Sequence, residues 1–90
     1  MEKEEVMWFI LVKLTNMGKF GGSHTALRNI EKGLPSSLTS NNNGKKLIRE
    51  AIKELSRKEF LLAKPSTREI HVNLNPKKTK EIREFINEHK

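Results

Sequence analysis

The chain of 90 residues carries 18 lysine and arginine side chains against 11 acidic ones, all of them glutamate, so its formal net charge is +7. It contains no cysteine, which excludes a disulfide scaffold and a cysteine-ligated zinc site. The length predicts one domain over residues 1–90. The longest apolar run, residues 6–12, is too short to span a bilayer and follows glutamates rather than a basic start, so we expect a cytoplasmic protein.

The positive charge is concentrated in the second half of the chain. Residues 1–43 hold five basic and four acidic side chains, whereas residues 44–90 hold thirteen and seven. Such an asymmetry favours a partner that is a polyanion.

The first predicted element is a helix over residues 3–17, where apolar side chains recur at helical spacing. Trp8, Phe9 and Val12 make this helix apolar almost all round, which is typical of a helix buried on more than one side. Either the last helix of the chain covers these side chains, or the first and last helices build a homodimer. We favour the homodimer.

Two further helices are expected before residue 60. Residues 24–32 predict a short helix that Ser23 can cap, and a short strand near residues 19–20 can precede it. Residues 44–58 predict a third helix, because apolar residues recur on one face and an Asn or Ser of the preceding segment can serve as N-cap. The long connection over residues 33–43 is rich in turn formers, and part of it can be helical.

A β-hairpin is predicted next. Residues 60–63 and 70–74 are its strands, and residues 64–69 form a polar turn. The period-two pattern of the second strand directs Ile70 and its alternate neighbours to the core, and His71 and Asn73 to the outer face. There they are either plain exposed residues or secondary contacts to a nucleic-acid backbone.

A last amphipathic helix over residues 77–89 completes an α+β order of three helices, two strands and a helix. The stretch GKKLIREAIKELSRKEFLLAKPSTREIHVNL combines a basic helix, a short turn and a hairpin with a polar tip. It resembles the winged helix-turn-helix domain of archaeal and bacterial transcription regulators, and the resemblance covers nearly the whole chain. GGSHTALRNI and IHVNLNP also resemble a small archaeal group of uncharacterised winged-helix proteins.

The resemblance implies a three-helix core, a C-terminal β-hairpin wing and a final amphipathic helix. It implies that helix 44–58 enters the DNA major groove and that the 64–69 tip contacts the flanking backbone or minor groove. Two features depart from the family. Glu59 stands where the family usually has glycine, and residues 33–43 are longer than a tight helix-turn-helix connection.

The bases of helix 44–58 lie on one stripe. At about 100° per residue, Lys46, Arg49, Lys53 and Arg57 fall opposite the apolar seam, where they can reach DNA phosphates. Arginine can also pair with guanine and asparagine with adenine. The candidate nucleic-acid-binding residues are Asn42, Asn43, Lys45, Lys46, Arg49, Lys53 and Arg57 of the helix, Lys64 and Arg68 of the hairpin tip, and Thr25 and Arg28 of the second helix.

An ordinary solvated surface is the competing explanation. Glu50 and Glu54 lie beside the stripe, and Glu54 can pair with Lys58. Thr25 can simply cap the second helix, and the asparagine run at residues 41–43 can simply be a flexible loop, with no contact to a partner in either case. These alternatives stay open at the level of the sequence.

The sequence does not predict an enzyme. The three histidines fall in three different elements, and neither a nucleophile–histidine–acid set nor a glycine-rich phosphate loop is visible. We expect no metal site and no cofactor. The expected partner is double-stranded DNA, and a membrane is not expected. The alternatives are an RNA- or ribosome-associated winged helix, and a protein-interaction module that uses the apolar first helix.

Overall fold

The fold belongs to the α+β class, as predicted, and the computed structural model describes residues 2–66 and 68–89. That part of the chain holds five α-helices and one antiparallel sheet with the strand order β1-β3-β2. The elements are α1 (Lys3–Asn16), β1 (Thr25–Ala26), α2 (Leu27–Glu31), α3 (Ser36–Thr39), α4 (Asn42–Arg57), β2 (Leu61–Ser66), β3 (Glu69–Leu74), a 3₁₀ turn (Pro76–Lys78) and α5 (Thr79–Glu88).

Helix α1 lies at the centre of the core. It contacts α2, α4, α5 and β3, because apolar side chains surround it almost completely. Its buried residues meet the seam of α4 and the inner face of β3, and full burial of each large side chain stabilises the fold by roughly 1.5–3 kcal/mol. The central members of the core are Val6, Met7, Ile10, Leu11, Leu14, Ile48, Ala51, Leu55, Val72 and Leu74.

The last helix packs on α1. The indole Nε1 of Trp8 donates a hydrogen bond of 2.9 Å to the carbonyl oxygen of Ile86, and Phe9 and Phe85 pack against the core. Within residues 2–66 and 68–89, the large apolar side chains that remain exposed are Leu62 and Ile70. Most of the apolar side chains of α1 are therefore covered by other parts of the same chain. The homodimer through the first and last helices stays a prediction.

The connection over residues 33–43 contains α3, so four helices precede the hairpin rather than three. The side chain of Asn41 caps α4, since its Oδ1 accepts from the Gly44 amide at 2.7 Å and its Nδ2 donates to the Ser37 carbonyl at 2.9 Å. Helix α4 thus begins at Asn42, two residues earlier than predicted. A Cβ on Gly44 would lie 2.0 Å from the carbonyl oxygen of Leu38. The backbones of α3 and α4 can meet there only because this position is glycine.

The predicted helix over residues 24–32 is wrong in its first part. Thr25 and Ala26 are a strand that pairs with β3, and α2 begins at Leu27 with Ala26, not Ser23, as its N-cap. Pairing with β3 satisfies backbone groups that a helix start would leave without partners. The strand expected near residues 19–20 is reduced to an isolated bridge between Phe20 and Leu74.

The hairpin differs from the prediction at both ends. Its strands reach Ser66 and Glu69, so the turn is shorter than residues 64–69, and Thr67 lies outside the described residues. Ile70 is 48% exposed, because β3 extends beyond the core towards the tip. Asn73 is only 5% exposed, because the Gly21 loop covers it and the Gly21 carbonyl accepts a hydrogen bond from its amide.

Glu59 ends the turn after α4 with a φ of +63°, in the left-handed region. Its amide donates to the Ser56 carbonyl, and the next amide, of Phe60, donates to the Leu55 carbonyl. A left-handed residue just beyond a helix is the usual position of glycine. Glu59 therefore holds a backbone conformation that glycine adopts without strain.

Gly44→Ala is expected to destabilise the fold by about 3 kcal/mol, because the added methyl overlaps the Leu38 carbonyl. Helix propensity alone would stabilise the variant by about 1 kcal/mol, so the sign of the change is diagnostic. Urea unfolding measures it. The control is Gly22→Ala, where a Cβ meets no atom within 4 Å, and it should change stability by less than about 0.5 kcal/mol. A Gly44→Ala protein as stable as that control would show that α3 does not pack as described.

Glu59→Gly is expected to stabilise the fold by about 0.5–1 kcal/mol. Removal of the side chain relieves roughly 1–2 kcal/mol of left-handed strain and costs about 0.5–1 kcal/mol of backbone entropy. Glu59→Ala keeps the strain and serves as the control in the same thermal unfolding measurement. Equal stability of the glycine and alanine variants would contradict the assigned φ.

Candidate nucleic-acid interface

The outer face of α4 carries the predicted basic stripe. Because the buried seam fixes the rotation of α4 about its axis, Lys45, Lys46, Arg49 and Lys53 all face solvent. Asn42 and Asn43 are the first two residues of the helix and are exposed beside the stripe. The asparagines therefore belong to the helix and are not a free loop.

Four of the bases on the outer face of α4 form no ion pair in the described chain. Among the residues that the structure describes, no carboxylate lies within 4.0 Å of the charged nitrogens of Lys45, Lys46, Arg49 or Lys53. An anionic partner would thus meet four positive groups that it does not have to separate from acidic neighbours.

Arg57 is different from the other bases of α4. Its guanidinium donates to the carboxylate of Glu54 through two nitrogens, Nε at 3.2 Å and Nη2, and Nζ of Lys3 lies 3.9 Å from the same carboxylate. Lys58, which the sequence offered as a partner of Glu54, forms no ion pair within 4.0 Å with it in the described chain. The hydrogen bond from Arg57 lowers the pKa of Glu54, the charge of Lys58 also lowers it, and the same hydrogen bond raises the pKa of Arg57. Arg57 is therefore already paired with an acid.

The stripe adjoins hollows on the neighbouring elements, and Glu31, Glu50 and Glu69 line these hollows together with the bases. Arg49 lies both in the shallow groove of α4 and in a hollow that Leu27, Ile52 and Ile70 line between α4, α2 and β3. Leu27 and Ile70 also line the next hollow. We call the whole surface the basic face; it consists of Lys45, Lys46, Arg49, Lys53, Arg28 and Arg68 around the apolar centre of Leu27, Ile52 and Ile70.

Arg28 and Arg68 reach the basic face in different ways. Arg28 of α2 forms an ion pair of 3.3 Å with Oε1 of Glu69 at the start of β3. Oε2 of Glu69 is buried and has no hydrogen-bond partner among the described residues. Arg68 is exposed at the hairpin turn with a φ of +70°. The ion pair holds α2 against the hairpin and leaves most of the Arg28 side chain in solvent.

Two predicted residues lie away from the basic face. Thr25 is 7% exposed, its hydroxyl accepts a hydrogen bond of 3.1 Å from Asn29, and it does not cap α2. Lys64 lies opposite His71 in the hairpin register and lines a pocket with His71 and His24. Since alternate residues of β3 face opposite sides, that pocket lies on the other side of the sheet from Ile70.

The sequence did not indicate the apolar centre of the basic face. The alternating pattern of β3 assigned Ile70 to the core, and only the position at which the core ends shows that its side chain is half exposed. The exposure of Ile70 is therefore a property of the packed fold and carries no local sequence signal.

In comparisons with known proteins, no family model, no curated protein and no solved structure matches this chain. None of the helices described here is both long and apolar enough to cross a bilayer. Residues 2–66 and 68–89 also bring together no group of three or more His, Cys, Asp or Glu side chains that could hold a metal ion. A functional conclusion therefore depends on the geometry of the surface.

Arg57→Ala is expected to raise the pKa of Glu54 towards its ordinary value, because the hydrogen bond that lowers it is lost. A carboxyl whose pKa is lowered on folding contributes stability above its unfolded pKa and loses it as the pH falls through its folded pKa. The variant should therefore lose the part of this acid-range dependence that Arg57 supplies, while Lys3 and Lys58 still act on the carboxylate. NMR titration of the Glu54 carboxyl measures the change, with Lys46→Ala as control. An unchanged titration in Arg57→Ala would rule out the pair.

Proposed function

We propose that this chain is a winged-helix protein that binds double-stranded DNA and acts as a transcriptional regulator. The observation that carries the proposal is the basic face, on which unpaired bases of α4 continue into Arg28 and Arg68. These residues come from three elements that are distant in sequence, so their alignment on one side is not a consequence of helix periodicity alone.

The helix pair α3 and α4 supports the winged-helix part of the proposal. Only Ser40 and Asn41 separate the two helices, and Gly44 lets their backbones meet. With α3 counted as a helix, the connection is as short as that of a helix-turn-helix. The hairpin of β2 and β3 then follows α4 in the position of a wing.

The dimensions of α4 suit a major groove. Its 16 residues extend over about 24 Å, and a groove about 12 Å wide admits one helix. At about 100° of rotation per helical residue, Asn42 lies about 120° around the helix axis from Ile48. This places it in the middle of the stripe, close to Arg49 at about 100°. In this arrangement Asn42, Asn43 and Arg49 read base edges, and Lys45, Lys46 and Lys53 contact phosphates.

Arg57 and the apolar centre of the basic face have lesser roles in the proposed contact with DNA. The pairing of Arg57 with Glu54 means that a phosphate has to compete for its guanidinium, so we expect a weaker contribution from Arg57 than from Arg49. The apolar centre around Ile70 can pack against deoxyribose or thymine methyl groups between the phosphate contacts. Lys64 is not assigned to this interface.

DNA is favoured over RNA by the shape of the site. A continuous exposed helix is suited to the wide major groove of B-form DNA, whereas the major groove of A-form RNA is deep and too narrow for side-chain reading. In the described part of the chain, moreover, no Phe or Trp side chain is exposed as a platform on which the bases of single-stranded RNA could stack.

The double variant Lys46→Ala/Arg49→Ala is expected to weaken binding to duplex DNA roughly 10–50-fold near 0.15 M salt and to reduce the slope of log K against log salt by about two units. Fluorescence anisotropy with labelled duplex measures both. The matched control is Lys80→Ala/Arg83→Ala on α5. It removes the same two charge types at the same spacing from a helix outside the basic face.

Equal effects of the two double variants would show that net charge, and not the basic face, drives binding. A clear preference for structured RNA in competition with duplex DNA would replace the proposal with the RNA-associated alternative. A chain that binds neither nucleic acid at low salt would favour a protein-interaction module. Analytical ultracentrifugation on the same samples tests the predicted homodimer.

A further inference from the structure

Two histidines that are 47 residues apart in sequence meet on the outer side of the sheet. The Nδ1 atoms of His24 and His71 are 2.8 Å apart, and their ring centroids are 4.8 Å apart at an interplanar angle of 64°. The pairing of β1 with β3 brings them together, because Ala26 lies opposite His71 in the register and His24 directly precedes β1. The basic face does not use this pair.

The pair lies at an accessible and locally ordered site. It borders a pocket of about 220 Å³ whose other walls include Gly21, Lys64 and Asn73. The hydrogen bond from the Asn73 amide to the Gly21 carbonyl fixes the loop that leads to His24. His24 is exposed and His71 is partly exposed, so a small ligand can reach both rings.

We propose that His24 and His71 bind a divalent transition-metal ion of tetragonal preference, Cu²⁺ or Ni²⁺, through their two Nδ1 atoms. Imidazole nitrogen is a suitable ligand for these ions. Two nitrogens at 2.0–2.1 Å from an ion are about 2.9 Å apart in adjacent square-planar positions and about 3.4 Å apart in tetrahedral ones. The separation of 2.8 Å is that of the hydrogen bond between the rings, and it is close enough to the square-planar spacing for one ion to bind both nitrogens after the rings turn.

Metal binding requires only a small rearrangement. In the hydrogen-bonded pair, one neutral ring donates through Nδ1 and the other accepts. When an ion binds both Nδ1 atoms, the donated proton moves to Nε2 of the same ring through solvent, so no net proton is released. Each ring also has to turn by about 45° so that both lone pairs point at one ion. Water supplies the remaining ligands.

Lys64 opposes the binding of a cation. It is the cross-strand neighbour of His71 and lines the same pocket, in a chain of net charge +7. Its ammonium group repels the ion, so Lys64→Gln should increase the affinity severalfold. This effect separates a site in the pocket from adsorption elsewhere on the surface.

The experiment is titration of the full chain with Cu²⁺, followed by electron paramagnetic resonance and calorimetry. The wild type should give an axial spectrum with hyperfine coupling to two imidazole nitrogens. His24→Ala should retain one nitrogen and lose affinity at least about tenfold. His89→Ala, which removes an exposed histidine at the end of α5, is the matched control and should behave as wild type. Ni²⁺ should raise the Tm of the wild type and of His89→Ala, but not that of His24→Ala.

Equal Cu²⁺ affinity of His24→Ala and His89→Ala would overturn the proposal, as would a wild-type spectrum with a single nitrogen. Tighter binding of Zn²⁺ than of Cu²⁺ would overturn the assigned geometry. His24 is exposed, so its loss should not prevent folding, and His71→Asn tests the second ligand in the same way. DNA binding should be unaffected in these variants, so this proposal and the proposed function can fail independently.

Discussion

The rest of the structure depends on one constraint: the apolar side chains that surround α1 have to be removed from water. A helix with apolar side chains on nearly every side needs cover from several directions, and α4, β3 and α5 provide it. Each of these elements has one apolar side, so its rotation is fixed by contact with α1. The outward direction of the basic stripe of α4 is therefore set by hydrophobic packing, although the stripe itself contributes nothing to the core.

The bases of the described chain divide into those that form an ion pair and those that do not. Arg28 is paired with Glu69, which joins α2 to β3, whereas Arg57 is paired with Glu54 within α4. Surface pairs of this kind contribute little to stability, on the order of 0–1 kcal/mol, but they fix where side chains lie. Four of the bases that form no ion pair in the described chain, Lys45, Lys46, Arg49 and Lys53, lie on α4, where α3 and the Asn41 cap hold the start of the helix in place.

Periodicity in the sequence was sufficient to predict α1, α4, β3 and α5, because each has a regular spacing of apolar residues that local geometry translates into a buried side. It was insufficient where the decisive neighbour is distant in sequence. Thr25 is in a strand because β3 lies beside it, Asn73 is buried because the Gly21 loop covers it, and Ile70 is exposed because the core ends before it. The candidate site divides in the same way. The positions of the residues on α4 follow from the helical wheel. Strand register, in contrast, places Thr25 and Lys64 away from the basic face and brings His24 next to His71.

The strand order β1-β3-β2 makes β2 the outer edge of the sheet, and an unprotected edge is a template for association between copies of a protein. In β2, Lys64 is followed by Pro65, which has no amide hydrogen to donate to an incoming strand. A second chain that tried to extend the sheet would meet a missing donor beside a positive charge. The same two residues that end the hydrophobic part of the hairpin therefore also protect a highly charged, sparingly apolar protein against edge-to-edge aggregation.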